Sequence, residues 1–214
     1  MEANGLLSKE NDMRTMKSWG RGFFASLLTL GVLTVFFAGR ATAQSVQPMV
    51  KLATSKGDIV IALEPARAPV SVDNFLKYVK SGYYSGLIFH RVIDGFMIQG
   101  GGLDKNLQPK PDLMPPIKNE AANGLKNRIY TVAMARTSDP DSATAQFFIN
   151  VKDNPFLDHV DDSGRGMGYA VFGKVVKGQD VVDAIRKTPT GSRGGFTDVP
   201  LEPVVIERAE VVSK

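Results

Sequence analysis

The chain has 214 residues, no cysteine and a formal net charge of +4 at pH 7. The lack of cysteine excludes disulfide bonds and thiol chemistry. The positive charge does not indicate nucleic-acid binding. Five of the 26 basic and three of the 22 acidic residues lie in the first 43 residues, which leaves 21 and 19 in a remainder of 171 residues. That remainder is long enough for one domain with a hydrophobic core.

The first 43 residues have the pattern of a cleaved export signal. Positive charges precede an uncharged run of 16 residues at 23–38, and they belong to Arg14, Lys17 and Arg21. The run is shorter than the ~20 residues that span a bilayer, which favours a cleaved signal over a membrane anchor. Ala41 and Ala43 give the small-x-small pattern of a cleavage site. We expect cleavage after Ala43, a short lead at 44–47 and a folded domain at 48–212.

Two strands and a helix are predicted at the start of this domain. Residues 49–54 and 59–63 are β-rich, and the turn composition between them predicts a hairpin. A one-faced amphipathic helix follows, capped by Ser71 or a neighbour and ended by Gly82. Its apolar residues recur at i, i+3, i+4 and i+7, and they are Val72, Phe75, Leu76 and Val79.

The rest of the domain reads as short strands and one further helix. The helix is predicted at 180–187 and is ended by Pro189, and residues 103–116 are predicted to be an exposed loop. Eight strands with two helices favour a barrel with covered ends, although the pattern alone leaves a sandwich open. The six additional strand candidates are 87–93, 96–100, 129–135, 146–151, 169–176 and 203–212.

The most distinctive segment is 89–102, with the sequence FHRVIDGFMIQGGG. It places Arg91 between apolar runs, where an unpaired cation is costly unless it is used. Strand alternation puts Arg91 on the face of Phe89, opposite His90 and Val92. If Arg91 lies outside the barrel, His90 points inward. We therefore favour a hydrogen-bonded core histidine over a catalytic one.

This segment resembles the signature of the cyclophilins, the peptidyl-prolyl cis-trans isomerases. Two further blocks follow in the order found in that family, YTVAMAR at 130–136 and SATAQFFIN at 142–150. The resemblance covers nearly all of residues 48–212. It implies a mainly β fold, a closed eight-stranded antiparallel barrel capped by two α-helices.

The resemblance also implies an activity and a site. The expected activity is faster rotation about X–Pro bonds in unfolded or extended chains, with neither a metal nor a cofactor. Arg91 is the expected catalytic residue, and Gln99 on the neighbouring strand is expected to orient it. The residues expected to bind substrate are Phe96, Met97, Gln99, Ala135, Arg136, Gln146, Phe148, Phe156, Leu157 and Tyr169.

Alternation and the resemblance disagree at one position. Alternation groups Met97 with Gln99 and sends Phe96 to the opposite face with Ile98. The family places Phe96, Met97 and Gln99 together in the substrate groove. Both can hold only if the chain is irregular at Gly95 or Phe96, as a β-bulge would make it.

Two residues depart from the eukaryotic pattern of the family. Phe156 stands where those proteins carry tryptophan, and Tyr169 where they carry histidine. A phenyl ring keeps the apolar surface but lacks the indole N–H donor, so we expect isomerase activity without tight binding of cyclosporin. Both changes resemble the exported bacterial branch of the family, and together with the predicted signal they indicate a periplasmic protein.

Other functions are weighed against this one. A module that binds proline-containing chains without catalysis remains open. A calcium loop at Asp139 and Asp141 lacks the required glycine and glutamate, and the glycines at 164–168 do not join a strand to a helix as a nucleotide site would. We expect a monomer that has no stable association with a membrane after cleavage.

Overall fold

The computed structural model describes residues 47–212, so the predicted signal and its cleavage site lie outside the described residues. No helix in the described range is long and apolar enough to cross a bilayer. The helices are α1 (Pro69–Lys80) and α2 (Gln179–Arg186). The strands are β1 (Met49–Thr54), β2 (Gly57–Leu63), β3 (Leu87–Ile93), β4 (Met97–Asp104), β5 (Thr131–Met134), β6 (Phe147–Asn150), β7 (Val171–Lys177), β8 (Thr190–Arg193), β9 (Phe196–Pro200) and β10 (Val205–Val212).

Eight of the strands form a closed antiparallel barrel in the order β1-β10-β3-β4-β6-β5-β7-β2. This confirms the predicted barrel, and each of its strands overlaps one predicted strand. Both helices bury their apolar faces in the barrel core. Phe75 of α1 lies 5.5 Å from Phe147 and 5.1 Å from Phe172 between ring centroids, and α2 adds Val182 and Ile185. The helices therefore close the core, as the sequence predicts.

Helix α1 begins two residues earlier than Ser71, and Ser71 does not cap it. The cap comes instead from the side chain of Glu120. Its carboxylate accepts hydrogen bonds from the amides of Val70 at 3.0 Å and Ser71 at 2.8 Å, and from the Ser71 hydroxyl at 2.7 Å. A carboxylate satisfies the free amides of the first turn and lies at the positive end of the helix dipole. The end of the helix follows the prediction, because Gly82 adopts a positive φ of 69°.

Strand β3 contains a bulge that the sequence analysis did not predict. Phe89 lies opposite Gly100 and Arg91 lies opposite Gln99, so one additional residue, His90, is inserted between them. The insertion breaks the two-residue period. The predicted shared face of Phe89 and Arg91 is therefore wrong. Phe89 belongs to the barrel core, and Arg91 lies outside it.

The expected irregularity near Gly95 is present as a turn rather than a bulge. Ile93 pairs with Met97, and residues 94–96 form the turn between β3 and β4. Gly95 supplies the positive φ of 72° that the turn needs. Phe96 therefore precedes the strand, and alternation does not decide its direction.

His90 is buried, with 6 % of its surface exposed, which agrees with the predicted buried histidine. Its Nδ1 has no hydrogen-bond partner in residues 47–212. Burial lowers the pKa of His90 to about 4. A hydrogen bond with the backbone of Ile88 opposes this shift, and the charge of the adjacent Arg91 adds to it. His90 is therefore a neutral side chain at pH 7.

Strands β8 and β9 form a hairpin that was not predicted, and β9 packs against the outside of β3. Val199 of this hairpin is buried with Ile88, Leu103 and Leu107. The predicted exposed loop at 103–116 is therefore wrong at its start, where β4 extends to Asp104 and two leucines are covered.

Candidate functional site

A pocket of about 120 Å³ lies on the outer side of the barrel. It brings together nine of the eleven residues that the sequence analysis assigned to a site. The other two, Gln146 and Phe156, lie beside it. The nine lining residues are Arg91, Phe96, Met97, Gln99, Ala135, Arg136, Phe148, Leu157 and Tyr169.

Strand register places the central residues in one row. Arg91 of β3 lies opposite Gln99 of β4, which lies opposite Phe148 of β6, which lies opposite Ala133 of β5. Strands in a sheet are about 4.8 Å apart, so side chains in such a row are neighbours. The alternation predicted for β6 is confirmed, because the residues on either side of Phe148 are buried in the barrel core.

The floor of the pocket is an apolar cluster that is separate from the barrel core. Phe148 meets the ring of Tyr169 edge to face, with centroids 5.6 Å apart and planes at 78°. Phe96 and Tyr169 are partly buried at its edge. This surface suits a small apolar ring. The buried members of the cluster are Met97, Ala133, Phe148, Leu157 and Val171.

Arg91 is not the unpaired cation that the sequence suggests. Its Nε lies 3.9 Å from Oδ2 of Asp198 on β9, and the two side chains are 43 % and 39 % exposed. An ion pair of this length and exposure is weak. Asp198 also has a positive φ of 60°, which is uncommon outside glycine. The sequence analysis missed Asp198 because it lies far along the chain, in the hairpin that was not predicted.

Gln99 does not hold Arg91 through a hydrogen bond in the described residues. Its Nε2 donates instead to Oε1 of Gln146 at 2.9 Å. The two amides lie at an adjoining cavity of about 150 Å³, which also contains the hydroxyls of Ser142 and Thr144. Gln99 was expected to orient Arg91, but the two residues are related only by their pairing across β3 and β4.

Arg136 lines the pocket with a side chain that is held in place by several contacts. The guanidinium lies over the ring of Tyr169, 4.6 Å from the centroid. Nε donates to the carbonyl of Gly168 at 3.0 Å, Nη1 to Thr137 at 2.9 Å and Nη2 to Gly164 at 3.3 Å. These bonds tie the loop before Tyr169 to the pocket wall.

Phe156 lies at the rim of the pocket, in a short 3₁₀ turn. The side chain is 71 % exposed, and its ring stacks on Phe96 with centroids 5.6 Å apart and planes at 29°. It therefore extends the apolar surface outward from the pocket.

A network of three buried asparagines, also missed from the sequence, supports two of the pocket walls. Asn154 donates to the carbonyl of Phe96 at 2.9 Å and to Oδ1 of Asn150 at 2.7 Å. Asn150 donates to Oδ1 of Asn127 at 3.2 Å, and Asn127 donates to the carbonyl of Leu157 at 3.1 Å. Buried amides are retained when their hydrogen bonds are made, and these bonds fix the backbone of Phe96 and Leu157.

The described part of the chain contains no group of three or more His, Cys, Asp or Glu side chains arranged to hold a metal ion. The site consists of two guanidinium groups, two amides and an apolar floor. Such a set can bind a polar backbone and an apolar ring.

Comparison with known proteins gives concordant matches. Residues 49–211 match the family model described as cyclophilin type peptidyl-prolyl cis-trans isomerase/CLD. A peptidyl-prolyl cis-trans isomerase of Streptomyces antibioticus is 62 % identical over 163 residues, which cover 76 % of this chain and 98 % of that protein. Peptidyl-prolyl cis-trans isomerase A of Dickeya dadantii is 52 % identical over 190 residues, which cover 89 % of this chain and 97 % of that protein.

Solved structures agree with these matches. A cyclophilin type peptidyl-prolyl cis-trans isomerase of Cryptosporidium parvum superposes with a TM-score of 0.64 at 26 % identity, covering 78 % of this chain and 99 % of that one. A second structure of that protein, determined in the presence of the dipeptide Ala-Pro, has a TM-score of 0.63 with the same identity and coverage.

Proposed function

Since this chain belongs to the cyclophilin-type peptidyl-prolyl cis-trans isomerase family, we propose that Arg91 and the apolar pocket beside it carry out the reaction of that family. The chain is a peptidyl-prolyl cis-trans isomerase, and its substrates are proline-containing peptides. The observation that carries the assignment of the site is the row of Arg91, Gln99 and Phe148 across three neighbouring strands. It sets a cation beside a polar amide and an apolar floor.

The reaction needs only differential binding. Resonance gives the X–Pro amide partial double-bond character and a rotation barrier of ~18–20 kcal/mol. In the twisted transition state the prolyl nitrogen becomes pyramidal and regains a lone pair. A donor that is aimed at this nitrogen binds the twisted amide more strongly than the planar one, which is the condition for catalysis. No covalent bond is made or broken.

Arg91 supplies that donor. A hydrogen bond from a charged group contributes roughly 1.5–3 kcal/mol, which corresponds to about ten- to a hundredfold in rate. The apolar floor supplies the remaining specificity. Met97, Phe148 and Leu157 hold the prolyl ring still while the acyl side of the bond turns. The Ala-Pro dipeptide present with the C. parvum relative supports this use of the pocket.

The test is exchange NMR spectroscopy on a short Ala-Pro peptide with residues 44–214. Wild type is expected to speed cis-trans exchange, and Arg91→Ala is expected to lose most of that acceleration. Arg208→Ala is the matched control, because it removes an exposed arginine of β10 that is paired with Glu210. If Arg91→Ala keeps the wild-type rate, the role of Arg91 is wrong. If wild type binds the peptide without accelerating its cis-trans exchange, the alternative of a non-catalytic module that binds proline-containing chains is favoured.

The natural substrates in this proposal are unfolded or extended chains, because the pocket is open to solvent on the outside of the barrel. A folding protein exposes such X–Pro bonds while they still isomerise slowly, over roughly tens to hundreds of seconds without a catalyst. We expect a monomer to act on them. Light scattering on the mature chain checks this, and the mass of two chains would contradict it.

Export belongs to the same proposal. The charges before residues 23–38 and the Ala-Thr-Ala sequence support cleavage after Ala43 and release into the periplasm of a Gram-negative cell. The match to the Dickeya isomerase covers 190 of the 214 residues and leaves 24 unmatched. Because the predicted signal has 43 residues, the match includes part of it. Expression of the full chain in a Gram-negative host tests the idea. Protein from the periplasmic fraction should begin at Gln44, whereas full-length protein in the membrane fraction would indicate an anchor.

A further inference from the structure

A second, wider cleft of about 840 Å³ adjoins the prolyl pocket. Arg136 and Tyr169 line both, so the two spaces are neighbours across one wall. Arg165 also lines the wider space, which we call the arginine cleft. Its other polar groups are hydroxyls, which belong to Thr137, Ser138 and Ser163.

The arginine cleft has positive charge without a compensating carboxylate. In residues 47–212, neither Arg136 nor Arg165 has an aspartate or glutamate oxygen within 4.0 Å. Arg136 bonds only to backbone carbonyls, and no carboxylate lines the cleft in the described part of the chain. Most of the other described arginines do have an acidic partner.

Carboxylates occur nearby in the sequence, but none of them lines the cleft, and none lies within 4.0 Å of either guanidinium. Asp161 and Asp162 lie in the same loop as Arg165, and Asp139 and Asp141 follow Arg136. Asp161 accepts a hydrogen bond from the Ser163 amide at 2.8 Å, and Asp139 accepts one from the Asp141 amide at 3.0 Å. Asp141 pairs with the Lys118 ammonium at 2.8 Å, whereas the Asp162 side chain is exposed to solvent. These carboxylates keep their charge, but they do not occupy the cleft, so the two guanidinium groups that line it have no carboxylate in contact within the described residues.

Arg136 is already held in place for such a group. Stacking on Tyr169 and three carbonyl bonds fix its plane. A guanidinium has five N–H donors, so two remain available. A fixed planar fork binds a carboxylate with little additional ordering cost. Arg165 adds a second, more mobile donor, since its side chain is exposed.

We propose that the arginine cleft binds the carboxylate of an aspartate or glutamate that lies a few residues from the proline in the same extended substrate. The isomerase then prefers X–Pro bonds with an acidic flank. This inference rests on the proposed function, because the prolyl ring of the same chain must occupy the adjoining pocket.

The test compares pairs of peptides around a central Ala-Pro that differ only in Glu or Gln at one position. The variable position is moved from two to four residues away, on either side of the proline. Exchange NMR at low ionic strength gives kcat/KM for each peptide. An exposed ion pair predicts about a two- to fivefold preference for Glu at one or more positions. The preference should fall in high salt, because exposed charges are screened.

Two variants separate the cleft from the net charge of the protein. Arg165→Gln is expected to lower the Glu-to-Gln ratio toward one, because one of the two guanidinium groups of the cleft is lost while Arg136 remains. Lys174→Gln removes the same charge from an exposed position on β7 and is expected to leave the ratio at its wild-type value. A ratio near one at every position in wild type, or an equal fall in both variants, would overturn the proposal. If wild type accelerates neither peptide of any pair, the proposed function has failed instead.

Discussion

Arg91→Lys tests whether the reaction uses the guanidinium fork or only a positive charge. In the structure the Nε of Arg91 faces Asp198 at 3.9 Å, and the terminal amino groups remain for a substrate. Lysine has one nitrogen for both purposes, and the carboxylate of Asp198 competes for it. We therefore expect the Lys variant to be nearly as inactive as Arg91→Ala.

The magnitude follows from two interactions. Loss of a charged hydrogen bond at the transition state, roughly 1.5–3 kcal/mol, lowers kcat/KM about ten- to a hundredfold in both variants. The competition from Asp198 is much smaller. Both side chains are about two-fifths exposed, so an ion pair there contributes about 0.2–1 kcal/mol, which is at most about fivefold.

A double variant isolates the second interaction. Adding Asp198→Asn to Arg91→Lys should recover up to about fivefold in kcat/KM, while the same change added to Arg91→Ala should recover nothing. The assay is exchange NMR on the Ala-Pro peptide at fixed salt. Turnover by the Lys variant close to that of wild type would refute the role of the planar fork. Equal recovery in both backgrounds would refute the competition.

Three further changes probe the scaffold around the site. The pKa of His90 is lowered to about 4 in the folded protein, so between pH 6.5 and 4 the unfolded chain binds one more proton than the folded chain. The free energy of unfolding, measured by urea titration, should therefore fall by about 2 kcal/mol from pH 7 to pH 5. His90→Gln should reduce this dependence on pH. Glu120→Gln should lower the free energy of unfolding by about 1–2 kcal/mol and leave kcat/KM unchanged, because it removes the charge that caps α1. The control Asp73→Asn, on the exposed side of α1, should lower the free energy of unfolding by under about 0.5 kcal/mol. Asn154→Ala should cost about 1–3 kcal/mol and also raise KM, because the backbone of Phe96 loses its buried donor; an unchanged KM would show that the asparagine network only stabilises the fold.

Local pattern predicts the barrel strands well because each run of β-rich residues is bounded by turn residues. It fails for the β8–β9 hairpin for a physical reason. Thr190–Arg193 and the start of β9 are mostly exposed, so they show no alternation of apolar and polar residues. What fixes this hairpin is the burial of Val199 against β3 and β4, a tertiary contact that no local pattern contains.

The candidate site likewise combines residues that the sequence predicts with tertiary partners that it does not predict. The residues that line the pocket were expected from the resemblance, and seven of the nine stand in the three short blocks at 89–102, 130–136 and 142–150. Their supporting partners were not found. Asp198 meets Arg91 from another part of the chain, and Asn127 meets Asn150 across a strand and a loop. Glu120 likewise replaces the local cap that was predicted for α1 at Ser71 or a neighbour. Such partners are polar residues in loops, where sequence alone gives no reason to prefer one over another.

The bulge at His90 allows strand β3 to serve both the barrel core and the candidate site. Phe89 and Val92 both lie in the barrel core although they are three residues apart, which regular alternation forbids. One inserted residue resolves the conflict, because it leaves Arg91 free to face outward opposite Gln99. Without it, a strand that kept Phe89 in the core would turn Arg91 inward, where its charge would be unpaired. A strand that kept Arg91 outside would instead remove Phe89 from the core. The additional residue therefore lets one strand fill the barrel on one side and carry Arg91, the proposed catalytic cation, on the other.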